Sequence, residues 1–82
     1  MATVHLQENH TRFTDGEKIL EVDGATVGQI IDALEAAHPG LGPLLREGSS
    51  FAVNGELQPR GTFFAPVPGD AEVHFLIPIT GG

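Results

Sequence analysis

The chain has 82 residues, 40% of them apolar and 18% charged, with a formal net charge of −7. One small domain of this size buries only about 60% of the surface its unfolded chain exposes, which leaves little room for a deep enclosed pocket. Eleven acids against 4 bases cannot neutralise a run of phosphates, so neither nucleic acid nor an anionic membrane surface is an expected partner. The lack of cysteine excludes disulfides, thiolate catalysis, zinc–thiolate sites and iron–sulfur ligation.

The opening residues, Met1 to Glu8, have neither the basic region nor the long apolar run of a signal peptide. No stretch approaches the ~20 apolar residues of a membrane span, and a cytoplasmic location is expected. Thr3 to Gln7 alternates, with Val4 and Leu6 on one face, and reads as a half-buried strand. The polar stretch through Asn9, Asp15 and Gly16 carries turn chemistry. Glu17 to Val22, with Leu20 and Val22 on one face, then reads as the return strand of an antiparallel hairpin.

Asp23-Gly24 breaks the pattern. Thr26 followed three residues later by Gln29 fits a capping box. Val27, Ile30, Ile31 and Leu34 continue at helical spacing, with Asp32 and Glu35 opposite, which predicts an amphipathic helix. Gly28 in its first turn costs on the order of 1 kcal/mol against Ala and suits close packing on a sheet. Pro39 and Gly40 end the helix. Leu41 to Ser50 reads as a loop anchored by Leu44 and Leu45. Phe51 to Val53 is a short strand, Asn54-Gly55 the strongest turn signal in the chain, and Glu56 to Gln58 a short partner strand.

Pro59 to Gly69 is irregular. Of the adjacent Phe63 and Phe64, one is expected to be buried and the other partly exposed. Gly69-Asp70 is a turn, and Glu72 to Ile77 the last strand, with Val73, Phe75 and Ile77 on one face and His74 and Leu76 on the other. Strand, strand, helix, strand, short strand, strand is the order of an α+β chain. It predicts a mixed sheet of four to five strands with one main helix packed on one face. That is the β-grasp, or ubiquitin-like, roll, in which the first and last strands lie parallel at the sheet centre. Residues 1–77 form the domain, and 78–82 a flexible C-terminal tail.

Gly81-Gly82 contributes nothing to a fold: glycine has no side chain to pack and costs the most backbone entropy to order. Its use is narrow access, since no Cβ obstructs threading into a tight channel. Pro78, Ile79, Thr80, Gly81 and Gly82 are the residues expected to enter a partner's active site, with the Gly82 carboxylate as the reacting group. A carboxylate becomes an electrophile once an ATP-using partner turns it into an acyl-adenylate. A sulfur or nitrogen nucleophile then displaces AMP.

The segments Leu20-Glu21-Val22, Thr26 to Leu34, Ala52-Val53-Asn54-Gly55, Gly69 to Val73 and Pro78-Ile79-Thr80-Gly81-Gly82 together resemble the ubiquitin-like sulfur carriers. This is the family of the molybdopterin synthase small subunit and the thiazole-biosynthesis sulfur carrier. The resemblance implies that Gly82 is adenylated by a ubiquitin-activating-type adenylyltransferase and converted to a thiocarboxylate. A sulfurtransferase or other sulfur donor supplies the sulfur, and a sulfur-accepting synthase subunit receives it. The product is a cofactor, cysteine, thiolated tRNA or a sulfur-containing metabolite. The chain is then a protein co-substrate rather than an enzyme, with no bound cofactor or metal; the ATP is used by the partner. The alternative is a ubiquitin-like modifier joined to target lysines through Gly82. A pure interaction module with no tail chemistry is a third reading.

His5 and His74 fall on the polar faces of strands expected to be neighbours. With Leu76 they are the candidate docking surface for a partner, and Ile79 extends it. Glu56, Asp70 and Glu72 form an acidic face suited to steering toward a basic partner. His10 and His38 read as loop and helix-end residues, and Ser49 and Ser50 as hydroxyls without a neighbouring base.

Overall fold

The computed structural model describes residues 1–59 and 61–76. Five strands form one sheet: β1 (Ala2–His5), β2 (Ile19–Val22), β3 (Ser50–Val53), β4 (Glu56–Leu57) and β5 (Glu72–Leu76). Their spatial order is β2-β1-β5-β3-β4. β1 and β5 pair in parallel, and the other neighbours are antiparallel. The expected β-grasp arrangement is therefore present, with the first and last strands adjacent at the centre. The strands start or stop one or two residues from the expected limits, and Ile77 and the 78–82 segment lie outside the described residues.

The alternation of β1 and β5 puts Val4, Val73 and Phe75 fully under the helices. The helix α1 (Val27–Ala37) supplies Val27, Ile30, Ile31 and Leu34 to the same layer. Burying each such side chain contributes about 1.5–3 kcal/mol. Thr26 caps α1 as its sequence predicts, its hydroxyl accepting the Gln29 N–H at 3.2 Å. The Gln29 amide oxygen accepts from Ala25 N–H at 2.7 Å. Gly28 packs on the 63–67 segment rather than on the sheet. Its N–H donates to the Phe63 carbonyl at 2.7 Å, and a Cβ there would lie 3.1 Å from the same oxygen.

Two segments expected to be loops are helical. Leu41–Gly48 is a second helix, α2, with Leu41 and Leu45 fully buried and Leu44 packed against the core. Its start has no local side-chain cap, since the N-cap is Gly40 in a left-handed conformation, φ 101°. The cap comes from α1: the Glu35 carboxylate accepts the N–H groups of Gly40 at 3.0 Å and Gly42 at 2.8 Å. Negative charge at a helix start also suits its dipole. Glu8–Phe13 forms a 3-10 helix between β1 and β2. Within it His10 is completely buried, which corrects the reading of His10 as a loop residue. His38 is the C-cap of α1, as expected of a helix-end residue. Phe63 is half-buried, its ring 5.7 Å from that of Phe51, and Phe64 is exposed. None of the described helices is long and apolar enough to cross a membrane.

Candidate functional site

The sheet has one face against the helices and one open face. Registers fix what the open face carries. Ile19 pairs with His5, His5 with His74, His74 with Ala52, and Ala52 with Leu57. Paired residues point to the same side of a sheet, so these five form one row across all five strands. At its centre the His5 and His74 rings stack, centroids 4.1 Å apart and planes 5° from parallel. Ile19 and Leu57 are exposed at its two ends. The two histidines expected to be neighbours are therefore in contact. The five-strand row was not foreseen, because it depends on register.

Beside this row lies an acidic one, in which Glu21 and Glu72 both pair with Thr3. The Glu72 carboxylate meets His5 Nε2 at 2.8 Å. The Asn54 turn fixes the Glu72 backbone: Asn54 N–H donates to the Glu72 carbonyl at 2.8 Å, and Glu72 N–H donates to Asn54 Oδ1 at 2.9 Å. Asn54 and Gly55 take positive φ, 51° and 81°, as a tight hairpin turn requires. Glu56 and Asp70 are exposed, as expected of solvated acids. Leu76 ends β5 half-buried opposite Ser50. Pro78, Ile79, Thr80, Gly81 and Gly82 lie outside the described residues. Among the described residues, no three histidines, aspartates or glutamates gather as a metal site would require.

One pair corrects the sequence reading. Ser49 does have a histidine beside it: His10 Nε2 lies 3.0 Å from the Ser49 hydroxyl, and both residues are buried. His10 Nδ1 accepts the Gln7 N–H at 3.0 Å, so the neutral ring carries its proton on Nε2 and donates to Ser49. The Ser49 hydroxyl donates onward to the Leu44 carbonyl at 3.2 Å. The ring is thus a donor to the serine rather than a base for it, and the arrangement is unsuited to nucleophilic catalysis. Burial holds the His10 pKa below its ordinary 6.5. The signal that could have revealed it is a side-chain acceptor three residues after a polar cap, here Gln7 and His10.

The family model for ThiS matches residues 5–82. The chain belongs to the ThiS family. Its sequence resemblance to ubiquitin-like sulfur carriers and its β-grasp topology agree with that membership. This ThiS-family chain is 30% identical to a chain of the Amycolatopsis orientalis BexX/CysO complex, over 100% of both, with a TM-score of 0.87. CysO of Mycobacterium tuberculosis is 22% identical, with a TM-score of 0.88, covering 96% of this chain and 100% of that one. The small archaeal modifier protein SAMP1 of Methanosarcina acetivorans is 18% identical, with a TM-score of 0.81, covering 99% and 95%. The last two show likeness of fold. No curated protein matches the chain in sequence.

Proposed function

We propose that this chain is a sulfur carrier whose Gly82 carboxylate is activated and thiolated by partner proteins. The observation that carries the proposal is the family match, which runs through Gly81-Gly82 to residue 82. In the first step the carboxylate attacks the α-phosphorus of ATP on a ubiquitin-activating-type adenylyltransferase, giving the acyl-adenylate and pyrophosphate. In the second, hydrosulfide from a sulfur donor attacks the acyl carbon. The C–O bond to AMP breaks, and a thiocarboxylate, AMP and a proton result. A sulfur-accepting synthase subunit then takes the sulfur into a cofactor, cysteine, thiolated tRNA or another metabolite. Pro78, Ile79, Thr80 and Gly81 thread the partner's channel. The partners supply the base, the ATP site and the nucleophile.

The docking surface is the open sheet face around His5, His74 and Leu76. A wide face with an apolar and aromatic row is suited to burial against a partner. That a relative was crystallised as the BexX/CysO complex supports a carrier that works by docking. The acidic row of the face, Glu21 and Glu72, in a chain of net charge −7, favours a partner with a basic rim.

The test is ATP–pyrophosphate exchange catalysed by a ubiquitin-activating-type enzyme of the same organism. The full chain is expected to support exchange, and the chain lacking Gly82 to support none. Exchange that persists without Gly82 would overturn the proposal. If an amine rather than hydrosulfide takes the acyl group, the chain becomes a protein modifier. Conjugates that vanish on deletion of Gly82 would identify that outcome. Self-conjugation is poorly served, because Lys18 is the one lysine and is paired with Glu8 at 2.7 Å.

A further inference from the structure

The parallel pairing of β1 with β5 brings the end of β1 to the same sheet end as the end of β5. The antiparallel pairing of β3 with β5 brings the start of β3 there too, with Ser50 opposite Leu76. At this end β5 hands over to the 77–82 segment. On one flank, β1 continues through Gln7 into the 3-10 helix that carries His10. On the other flank, α2 continues through Ser49 into β3. The buried His10–Ser49 hydrogen bond of 3.0 Å joins the two flanks.

We infer that His10 is a positioning residue: in its neutral form it clasps the flanks of the β5 exit and holds the departure point of the Gly82 segment fixed relative to the docking face. The inference rests on the carrier function proposed above. Every polar position of the ring is committed. Nδ1 accepts the Gln7 N–H, Nε2 donates to Ser49, and Ser49 donates to the Leu44 carbonyl. A second proton on Nδ1 would face the Gln7 N–H donor, so the clasp and the charged ring are incompatible. Burial of the ring acts in the same direction. The charged groups on the elements packed around it are Glu8 and Arg12 of its own segment, Asp15, Glu17 and Lys18 between it and β2, and Arg46 and Glu47 of α2. None of them contributes to the His10 shift, whose one cause is burial. Glu8 is engaged with Lys18, and Arg46 with Asp32. Among the described residues, no carboxylate offsets the burial of the ring.

Two measurements test the clasp. The first needs no partner: amide hydrogen exchange of the full chain at about pH 7.5 and about pH 5, on either side of the ordinary histidine range, corrected for intrinsic rates. Protection at residues 7–16 and 49–50 is expected to fall ~10-fold or more at the lower pH, while Val4 and Val73 stay protected. Unchanged protection at 7–16 would overturn the clasp, whether or not the chain is a carrier. The second is adenylation kinetics across the same pH range. On acidification wild type is expected to lose kcat several-fold more than His10→Gln, with KM the same for the two at each pH, because they share one docking face while only wild type misplaces the reacting group. His10→Gln reaches Ser49 with an amide that does not titrate, and is expected to keep kcat and flatten the pH profile. Ser49→Ala is expected to lower kcat at both pH values. A wild-type KM that rises over that of His10→Gln as kcat falls, or a His10→Gln profile identical to wild type, would overturn the positioning role. If wild type is not adenylated at all, the carrier reading fails and the exchange measurement still decides the clasp.

Discussion

Glu35 and His10 show how single side chains set structure at a distance along this chain. Glu35 sits on α1 yet caps α2 through Gly40 and Gly42. Glu35→Ala is expected to lower stability by about 1 kcal/mol, the usual cost of losing a cap, read as a lower urea midpoint with unchanged slope. His10 predicts a pH dependence. Its folded pKa is lowered by burial, so the unfolded chain binds the proton more tightly. The sign follows from linkage: stability is complete above the ordinary histidine range and is lost as pH falls through it. Urea midpoints are expected to drop between about pH 7.5 and about pH 5, and the His10→Gln variant to lose the part of that drop due to His10. The nearness of His5 and His74 was legible, because each fell on the polar face of a strand expected to be central; their stacking was not, because it depends on the register that pairs them. The His10–Ser49 link was not, because its partners lie 39 residues apart and local pattern carries no sign of which polar residue becomes buried.

At the scale of elements, α2 is the test. Gly40, Gly42 and Pro43 depress local helix propensity, which made Leu41–Gly48 read as a loop. Leu41, Leu44 and Leu45 nevertheless stand at i, i+3 and i+4, the spacing of a helix face. The packing of α2 on α1 overrides propensity. Leu45→Ala is expected to cost about 2–5 kcal/mol, as for other fully buried leucines, and Leu44→Ala less, measured by chemical denaturation. Gly42→Ala is expected to be destabilising despite its better propensity, because its Cβ would lie 2.9 Å from the Glu35 Cβ and carboxylate. An increase in stability on Gly42→Ala would show that the helix pair is spaced more loosely than described. The strands and α1 were legible because their periods are strong and their signals local: alternation in β1 and β5, Thr26 before an apolar stripe, Asn54-Gly55 between two short strands.

For the whole molecule, a sheet with two parallel central strands gives a small chain one wide open face and one well-defined exit at the end of β5. The chain has no cysteine, and the proposed carrier function needs none, since in that proposal the sulfur is held on a main-chain carbonyl carbon. The fold and family were readable from element order and from short segments spread along the chain. The register that aligns Ile19, His5, His74, Ala52 and Leu57 was not, because a one-residue slip would turn each side chain to the other face. The measurement that tests the central claim most directly is the intact mass of the chain after incubation with the activating enzyme, ATP and sulfide. The account predicts the mass gain of one sulfur replacing one oxygen, confined to the C-terminal peptide and absent from the chain lacking Gly82. An adenylated chain that never gains sulfur, or a gain that survives deletion of Gly82, would contradict it.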